Sequence, residues 1–347
     1  RRSSTADRRI RHPRMARLLR SLPPGSATVD VMTRPLDPEF DILYADEVAR
    51  VGDDPRRLRN LYAAGYLHRV RRGAYVVKER WEAADERAQH LARVYAAAHD
   101  ARAEFIVAGV SAAAVWRVPI FRSYGPDAEV LDTYRGGGRS EKGVRRLTAA
   151  AGHASAVAHR GLIVTDLART VIDVACGRPL PEALAAVDWG VSMRNPVGVT
   201  TGLIRDRLSD MGKRPGIRQV WRACALAVAD SGSGGESYAR GVIHELGFET
   251  PATQFELRDA DGAMFADFAW PNCRVLGEFD GLIKYADPRF NHGDPVEKLR
   301  RERAREARLR ALGWSIVRIT WDDVRDPGAL SRLLASAGVP RQRRFSA

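Results

Sequence analysis

The sequence predicts a multidomain protein of the α/β class. At 347 residues with 45% hydrophobic composition, the chain is too long for one ordinary core and apolar enough for several. The run of serine and glycine from Ser231 to Gly235 is the clearest domain boundary. Helix-like and strand-like periodicities alternate on both sides of it. We expect a disordered basic tail at 1–38, a helix-turn-helix unit at 39–80, an α/β middle domain at 81–192, a helical linker at 193–232 and a C-terminal α/β domain at 233–340.

Positive charge is concentrated in three stretches of the chain. The formal net charge is +13, whereas residues 1–20, 54–73 and 295–312 together carry +16, so the remainder of the chain carries −3. Such concentration is typical of a protein that binds a polyanion, although a basic surface can also be merely solvated. The first stretch is rich in Arg, Pro and Ser and has little apolar periodicity, so we expect it to be disordered.

Cysteine usage and hydropathy bear on the compartment. The three cysteines, Cys176, Cys224 and Cys273, are far apart and odd in number, which argues against a disulfide framework or a zinc site. The sequence has no run of eighteen apolar residues, and its Arg-rich start lacks the hydrophobic segment of a secretory signal. We therefore expect a cytoplasmic protein without a membrane partner.

The first structured unit is predicted to be helix, turn, helix and hairpin. A helix is indicated over 45–51, and a second begins where Asp54 precedes Pro55, the pattern of an N-cap followed by proline, and ends at Gly65. Residues 66–77 then form two short strands around a basic tip. This order is that of a winged helix-turn-helix, in which the second helix enters the major groove of DNA.

Arginines fall on the two elements that would touch DNA. The predicted DNA-binding residues are Arg56, Arg57 and Arg59 on the second helix and Arg69, Arg71 and Arg72 on the hairpin. The alternative is a small helical domain whose arginines are only solvated. We favour DNA binding because the positive charge is placed where a winged helix needs it.

This stretch resembles the N-terminal domain of the AbiEi-like type IV antitoxins of abortive-infection systems. In that family a segment of the form L-x-R-V-x-R-G-x-Y ends the winged helix, and here it runs from Leu67 to Tyr75. Residues 110–116 and 161–173 are similar to segments of the middle domain that follows it in such proteins. The resemblance implies a DNA-binding regulator and leaves open whether a toxin or a second copy of the chain is a further partner.

The C-terminal domain is predicted to have the order αβββαβ. Its elements are a helix at 236–246, strands at 253–258, 263–270 and 274–281, a helix at 296–312, a strand at 314–320 and a last helix that ends near 337. Turn residues separate the first three strands. That spacing favours a small sheet flanked by helices.

Carboxylates interrupt these apolar segments at regular places. Glu236 lies in the first helix, Asp267 in the second strand, and Glu278 and Asp280 in the third. Strict alternation would place Asp267 on one face with Phe265 and Ala269. Acids within apolar strands require a reason, and a metal-binding or catalytic site is one.

The ordered spacing resembles a specific group, the PD-(D/E)XK domains similar to very-short-patch-repair endonucleases. The matching segments are Gly235-Glu236-Ser237, residues 258–262, 266–271 and 277–281, Lys284-Tyr285, Glu297-Lys298, Gly313-Trp314, Val317-Arg318 and Trp321. The resemblance implies a restriction-endonuclease-like core and a Mg²⁺-dependent or Mn²⁺-dependent nuclease that acts on DNA. It implies Asp267 and Glu278 as metal ligands, with Glu236 assisting directly or through water.

One feature departs from that family's E-x-K pattern, because Asp280 stands where the catalytic lysine would be. Lys284 and Lys298 are the candidates to replace it, and Lys284 requires the chain to bend at Gly281. A lysine in this role orients or deprotonates the attacking water. The predicted catalytic set is therefore Glu236, Asp267, Glu278, Asp280, Lys284 and Lys298.

Each acid also has a structural alternative. Ser233 and Glu236 fit a capping box, Asp280-Gly281 fits an ordinary turn, and Asp267 could be a buried acid paired to an arginine. Three functions stay open at this point: a metal-dependent deoxyribonuclease, a non-catalytic DNA-binding regulator that uses the nuclease fold as a scaffold, and an RNA-directed nuclease. The first is favoured because all four acids occur in the nuclease order.

Overall fold

The protein is a mixed α/β chain of two compact units. The computed structural model describes residues 41–50, 52–101, 104–132, 142–148, 155–212, 215–281 and 295–342, with the side chains of 295–299 left out. The first unit contains the described residues up to Arg117 together with Arg122–Asp166. The second contains Val118–Phe121 and the described residues from Leu167 onward. The predicted disordered tail at 1–38 lies outside the described residues.

The first unit begins with a small three-stranded antiparallel sheet and two helices. Its elements are β1 (Leu43–Tyr44), α1 (Ala45–Arg50), α2 (Arg56–Ala63), β2 (Leu67–Arg71) and β3 (Ala74–Val77). The strand order is β1-β3-β2. Leu58 of α2 is fully buried among Leu43, Val48 and Leu67 and thereby packs this short helix on the small sheet. Asp54 Oδ1 accepts the Arg56 N–H at 2.8 Å, as an N-terminal cap does.

The remainder of the first unit is a five-stranded mixed sheet with helices. Its elements are α3 (Lys78–Ala83), α4 (Glu86–Asp100), β4 (Ile106–Val107), α5 (Gly109–Trp116), β5 (Ala128–Asp132), β6 (Val144–Thr148), β7 (Ala156–His159) and β8 (Leu162–Thr165). The strand order is β6-β5-β4-β8-β7. The sequence predicts continuous helical character from Trp81 to Asp100, whereas the structure breaks it. The Asp85 carboxylate accepts the Ala88 N–H at 2.7 Å and starts a new helix.

Four helices open the second unit. They are α6 (Leu167–Ala175), α7 (Leu180–Val191), α8 (Thr201–Asp210) and α9 (Ile217–Leu226). The last two occupy the segment that the sequence suggests is a linker, and they bury Ile204, Leu208 and Val220 against α6 and α7. The two compact units are divided between Asp166 and Leu167, and the boundaries predicted at 192 and 232 lie within the second unit.

The second unit continues with the predicted αβββαβ order. The elements are α10 (Gly234–Glu245), β9 (Ala252–Asp259), β10 (Gly262–Trp270), β11 (Val275–Asp280), α11 (Pro295–Ala311), β12 (Ser315–Thr320), α12 (Trp321–Arg325) and α13 (Pro327–Ser336). The sheet order is β12-β11-β10-β9, with β12 parallel to β11 and the other neighbours antiparallel. The single last helix expected from the sequence is two helices, because Asp326 caps a second one.

Helices cover both faces of this four-stranded sheet. One core cluster joins Phe268, Trp270 and Phe279 to Ile243 of α10 and Leu330 of α13. The other joins Met264, Ala266, Ala269 and Leu276 to Leu309 of α11. The sheet is thus a central layer between helices. Within the described residues, every helix is too short or too polar to cross a bilayer.

Candidate active site

The regular geometry of β10 is interrupted at Asp267. The register pairs Ala266 with Phe255 and Phe268 with Thr253, and it skips the position between them. Gln254, which would face Asp267 there, has a left-handed backbone with φ of +44°. Irregularities of this kind re-aim side chains and are frequent beside active sites.

The interruption changes which residues share a face. Met264 and Ala266 lie in the same cluster as Ala269, whereas Phe268 and Trp270 lie in the other. Strict alternation would instead place Met264 and Ala266 with Phe268. The expectation that Asp267 shares a face with Phe265 and Ala269 therefore fails, because the alternation shifts by one residue at Asp267 itself.

Asp267 points toward the neighbouring strand. Its Oδ2 accepts the backbone N–H of Phe279 on β11 at 2.8 Å. This bond places the Asp267 carboxylate beside Glu278, the preceding residue on that strand. The structure thus brings together the two residues that the sequence predicts as metal ligands.

Glu278 is a largely buried acid with a positive partner. Its side chain is 17% exposed, and its Oε1 accepts a hydrogen bond from Nη2 of Arg305 on α11 at 2.7 Å. Burial raises the pKa of Glu278, Arg305 opposes that shift, and the negative charge of Asp267 adds to it. Two neighbouring carboxylates repel each other when both are ionised, and a cation bound between them removes that repulsion.

Asp280 is paired differently. Its Oδ2 accepts a hydrogen bond from Nη1 of Arg318 at 3.2 Å, and Nη2 of the same arginine lies 2.8 Å from Glu302 Oε1. Arg318 is opposite Glu278 in the β11–β12 register. Asp280 therefore belongs to an ion-pair network that joins β11, β12 and α11.

Glu236 has contacts that hold the start of α10. Ser233 Oγ accepts the Glu236 N–H at 3.2 Å, which is the cap half of the predicted capping box. The Glu236 carboxylate accepts from the Gly232 N–H at 2.8 Å and from Gln254 Nε2 at 3.1 Å. It thereby connects the helix start to the strand residue that would face Asp267.

The two candidate lysines cannot be placed at this site. Lys284 lies outside the described residues, as does the side chain of Lys298, although the backbone of Lys298 is part of α11. At the end of β11 the Gly281 N–H donates to the Phe279 carbonyl at 3.1 Å. The bend at Gly281 that would bring Lys284 back stays a prediction, because residues 282–294 lie outside the described part of the chain.

A metal at this site would have two carboxylate ligands from the protein. Within the described ranges, no group of three or more His, Cys, Asp or Glu side chains is placed to hold a metal ion. Asp267 accepts the Phe279 N–H on Oδ2, and Glu278 accepts from Arg305 on Oε1. Mg²⁺ is commonly bound by one or two carboxylates with water and substrate phosphate completing its shell, so the pair suits this ion.

The predicted DNA-binding arginines differ in their surroundings. Arg56, Arg59, Arg69 and Arg72 are exposed. Arg71 is half-buried and pairs with Asp100 at 3.0 Å, and Arg57 lies 3.9 Å from Asp53. The Arg69 guanidinium lies 5.3 Å from the ring centroid of the exposed Tyr62. The four exposed arginines are the ones available to phosphates.

Sequence reasoning did not single out Arg305, Gln254 or Gly232. The arginines of α11 are spaced as on a DNA-flanking helix or an exposed helix with i,i+4 ion pairs, and Arg310 with Glu306 forms such a pair at 2.7 Å. Arg305 and Arg308 instead bind acids of the sheet, Glu278 and Asp259. A side chain built on Gly232 would meet the Glu236 carboxylate at 2.7 Å, a requirement that no local sequence pattern expresses.

The fold defines the chain as a mixed α/β protein. The sequence matches no profile of a known protein family. It is similar to two proteins of Mycobacterium tuberculosis, "Uncharacterized protein MT2308" of strain CDC 1551 / Oshkosh and "Uncharacterized protein Rv2248" of strain H37Rv. Each is 33% identical over 178 residues, which cover 50% of this chain and 61% of the relative.

The match thus spans less than two thirds of the length of these relatives. Among solved structures, the RV2827C protein of Mycobacterium tuberculosis is similar with a TM-score of 0.33 and 14% identity, over 71% of this chain and 87% of that one.

Proposed function

We propose that this chain binds DNA and hydrolyses its phosphodiester bonds at a metal site held by Asp267 and Glu278. The observation that carries the proposal is the meeting of these two carboxylates at an irregularity of β10, where Asp267 contacts the strand that bears Glu278. The two carboxylates are oxygen ligands of the kind that a divalent cation prefers, which supports a place for a cation beside them. The αβββαβ order of the second unit is consistent with a restriction-endonuclease-like core of the PD-(D/E)XK type.

The proposed cofactor is Mg²⁺, or Mn²⁺ in its place, because both prefer oxygen ligands. Bound there, the ion would polarise the phosphate and lower the pKa of a coordinated water. Asp267 and Glu278 would hold the ion. Glu236 would fix the start of α10 relative to β9 through its bonds to Gly232 and Gln254.

The proposed reaction is simple hydrolysis. The oxygen of water forms a bond to phosphorus, one phosphorus–oxygen ester bond breaks, and a proton from the water passes to the leaving oxygen. The products are a phosphomonoester and a hydroxyl group. Lys284 and Lys298 stay the proposed residues for orienting the water. Asp280 is proposed to contribute indirectly, through its ion pair with Arg318.

DNA is the proposed substrate and partner. The exposed Arg56 and Arg59 of α2 and Arg69 and Arg72 of the hairpin support this choice, because arginine is suited to phosphate contacts. The AbiEi-like winged-helix assignment of residues 39–80 is part of the same proposal. A toxin or a second copy of the chain is a further candidate partner.

Cleavage of supercoiled plasmid with Mg²⁺ or Mn²⁺ tests the enzymatic proposal. We expect the unmodified chain to nick or linearise the plasmid, and Asp267→Asn and Glu278→Gln to lower the rate by at least about 100-fold, because each removes a ligand charge. Asp261→Asn is the matched control, since this exposed acid lies in the β9–β10 turn. Equal cleavage by all four proteins would reject this site.

A non-catalytic DNA-binding regulator is the second candidate function. It is favoured by the arginines that already neutralise the strand acids, Arg305 with Glu278 and Arg318 with Asp280. DNA binding without cleavage under any metal, and without metal-induced stabilisation of the protein, would support this alternative and reject the first.

A further inference from the structure

The Arg305 guanidinium contacts Glu278, one member of the acidic pair. Its Nη2 donates to Glu278 Oε1 at 2.7 Å and also to the carbonyl of Phe265, two residues before Asp267. The Arg305 side chain is 34% exposed, so solvent and a ligand can reach it. Arg305 therefore contacts a largely buried acid and is at the same time accessible to a ligand in solvent.

The other arginines nearby are committed to structural partners. Arg308 uses Nε and Nη2 on the Asp259 carboxylate and bonds the Gly262 carbonyl as well. Arg318 bridges Asp280 and Glu302. The described contacts of Arg305 use a single nitrogen, Nη2, and a guanidinium has donors on Nε and Nη1 as well. Arg305 thus has donors with which to bind a phosphate while it still touches the acid.

Charge balance points in the same direction. Arg305 is a positive charge in contact with the largely buried Glu278. A divalent cation held by Asp267 and Glu278 would take over that neutralisation, so the attraction that keeps Arg305 on Glu278 would weaken. Its fork of donors matches the two non-bridging oxygens of a phosphate.

We propose that Arg305 is the phosphate-binding residue of this site, neutralising Glu278 without metal and binding the scissile phosphate when metal is present. It would supply the positive charge that the E-x-K pattern places where this chain has Asp280. It cannot act as the general base, because a guanidinium stays protonated at physiological pH. This inference rests on the proposed nuclease function.

The test compares Arg305→Gln and Arg305→Lys with the control Arg303→Ala, an exposed arginine of the same helix. Titration calorimetry with Mn²⁺ and no DNA measures metal affinity. We expect Arg305→Gln to bind Mn²⁺ several-fold more tightly than the unmodified chain, because the competing charge is gone. We expect Arg303→Ala to be unchanged.

Single-turnover cleavage of a DNA duplex at saturating Mn²⁺ is the second measurement. We expect Arg305→Gln to lose about 100-fold to 1,000-fold in rate, as for removal of one transition-state donor, and Arg305→Lys to recover part of it. Tighter metal binding together with slower cleavage is a result that a purely structural arginine does not produce.

The failures are distinguishable. Cleavage by Arg305→Gln at the unmodified rate would overturn the role of Arg305 and leave the nuclease proposal intact. Weaker Mn²⁺ binding together with slower cleavage would also overturn it, because Arg305 would then only maintain the site. Absence of both Mn²⁺ binding and cleavage in the unmodified chain would reject the nuclease proposal and this inference with it.

Discussion

At the scale of single residues, His90 is a buried ionisable group. His90 in the first unit is fully buried, with Nε2 at 2.8 Å from Ser111 Oγ and Nδ1 at 3.2 Å from the Gly125 carbonyl. Burial lowers the pKa of His90 from 6.5 to about 4, helped by the charge of Arg93 and opposed by the Gly125 carbonyl. The ring is therefore neutral in the folded protein at neutral pH.

Because His90 is buried in its neutral form, the free energy of unfolding should decrease as the pH is lowered. The unfolded chain takes up a proton at His90 as the pH drops below 6.5, and the folded protein does so only near pH 4. The contribution is thus fully present above pH 6.5 and is lost toward pH 4, by up to about 3 kcal/mol. Urea unfolding at pH 7.5 and pH 5 should give a smaller loss for His90→Gln than for the unmodified chain. Equal losses in the two proteins would contradict this.

A buried ion pair in the second unit is the other residue-scale feature. Arg240 Nη2 of α10 lies 2.7 Å from Asp188 Oδ2 of α7, and both side chains are at most 2% exposed. Asp188 also accepts the Val228 N–H at 2.9 Å, and Arg240 donates to the Leu226 carbonyl at 2.6 Å. Burial raises the pKa of Asp188, and Arg240 opposes that shift.

Removing one member of this pair should be strongly destabilising. Asp188→Asn leaves the Arg240 charge buried without its counter-ion, at a cost of about 3 to 5 kcal/mol in the free energy of unfolding. The double change Asp188→Leu with Arg240→Met should cost less than Asp188→Asn alone, because it buries no unpaired charge. Chemical denaturation measures both variants. A double variant less stable than Asp188→Asn would show that hydrogen bonding, and not charge, dominates.

At the scale of elements, glycine permits the close packing around the site. A Cβ atom on Gly235 of α10 would collide with the ring of Phe279 on β11, and one on Gly241 would meet the Pro181 backbone of α7 at 2.6 Å. Since Phe279 also donates its N–H to Asp267, the first contact couples the position of α10 to the acidic pair. This close approach is a physical reason for glycine at position 235.

The second helix and hairpin of the first unit carry an element-scale prediction. Replacing the four exposed arginines, Arg56, Arg59, Arg69 and Arg72, by alanine should weaken DNA binding and flatten its dependence on salt, because each lost phosphate contact lowers the logarithmic salt slope by roughly 0.9. Fluorescence anisotropy with a labelled duplex from about 50 to 300 mM salt measures the slope.

The matched control replaces Arg222 and Arg325, exposed arginines of the second unit, by alanine. Its salt slope should stay that of the unmodified chain. An unchanged slope in the fourfold variant would remove α2 and the hairpin from the DNA interface.

At the scale of the whole molecule, the division between Asp166 and Leu167 has a direct consequence. The helices α6 to α9 belong to the same unit as the four-stranded sheet, and α7 contributes Asp188 to a pair with α10. A fragment of residues 233–347 would expose the α7-facing side of α10 and leave Arg240 unpaired. A fragment of residues 167–347 retains the packing of α7 on α10 and the pair of Asp188 with Arg240.

We therefore expect the longer fragment to fold and the shorter one not to fold. Circular dichroism with thermal unfolding should give a cooperative transition for 167–347 and none for 233–347. Both fragments lack Phe121, which packs on Tyr238, so this loss is matched. A cooperative transition of the shorter fragment would establish the Ser231–Gly235 segment as the true boundary.

Much of the fold could be predicted from local sequence signals. The helices and strands from residue 45 to 77 and the αβββαβ order from 234 to 320 agree with the structure within a few residues. Caps account for part of this agreement, as at Asp54 and Ser233, because these signals act between residues close in sequence. The acids of the site were likewise visible, since they interrupt apolar strands.

The sequence by itself determined the type and order of the elements and the acids that they carry. Only the tertiary structure decided how those acids are used: Asp267 bonds Phe279 twelve residues away, Arg305 reaches Glu278 across 27 residues, and Arg240 pairs with Asp188 across 52. It also decided the change of face at Asp267 and the division at Leu167. Local patterns encode periodicity and turns, whereas these contacts depend on how distant segments pack together.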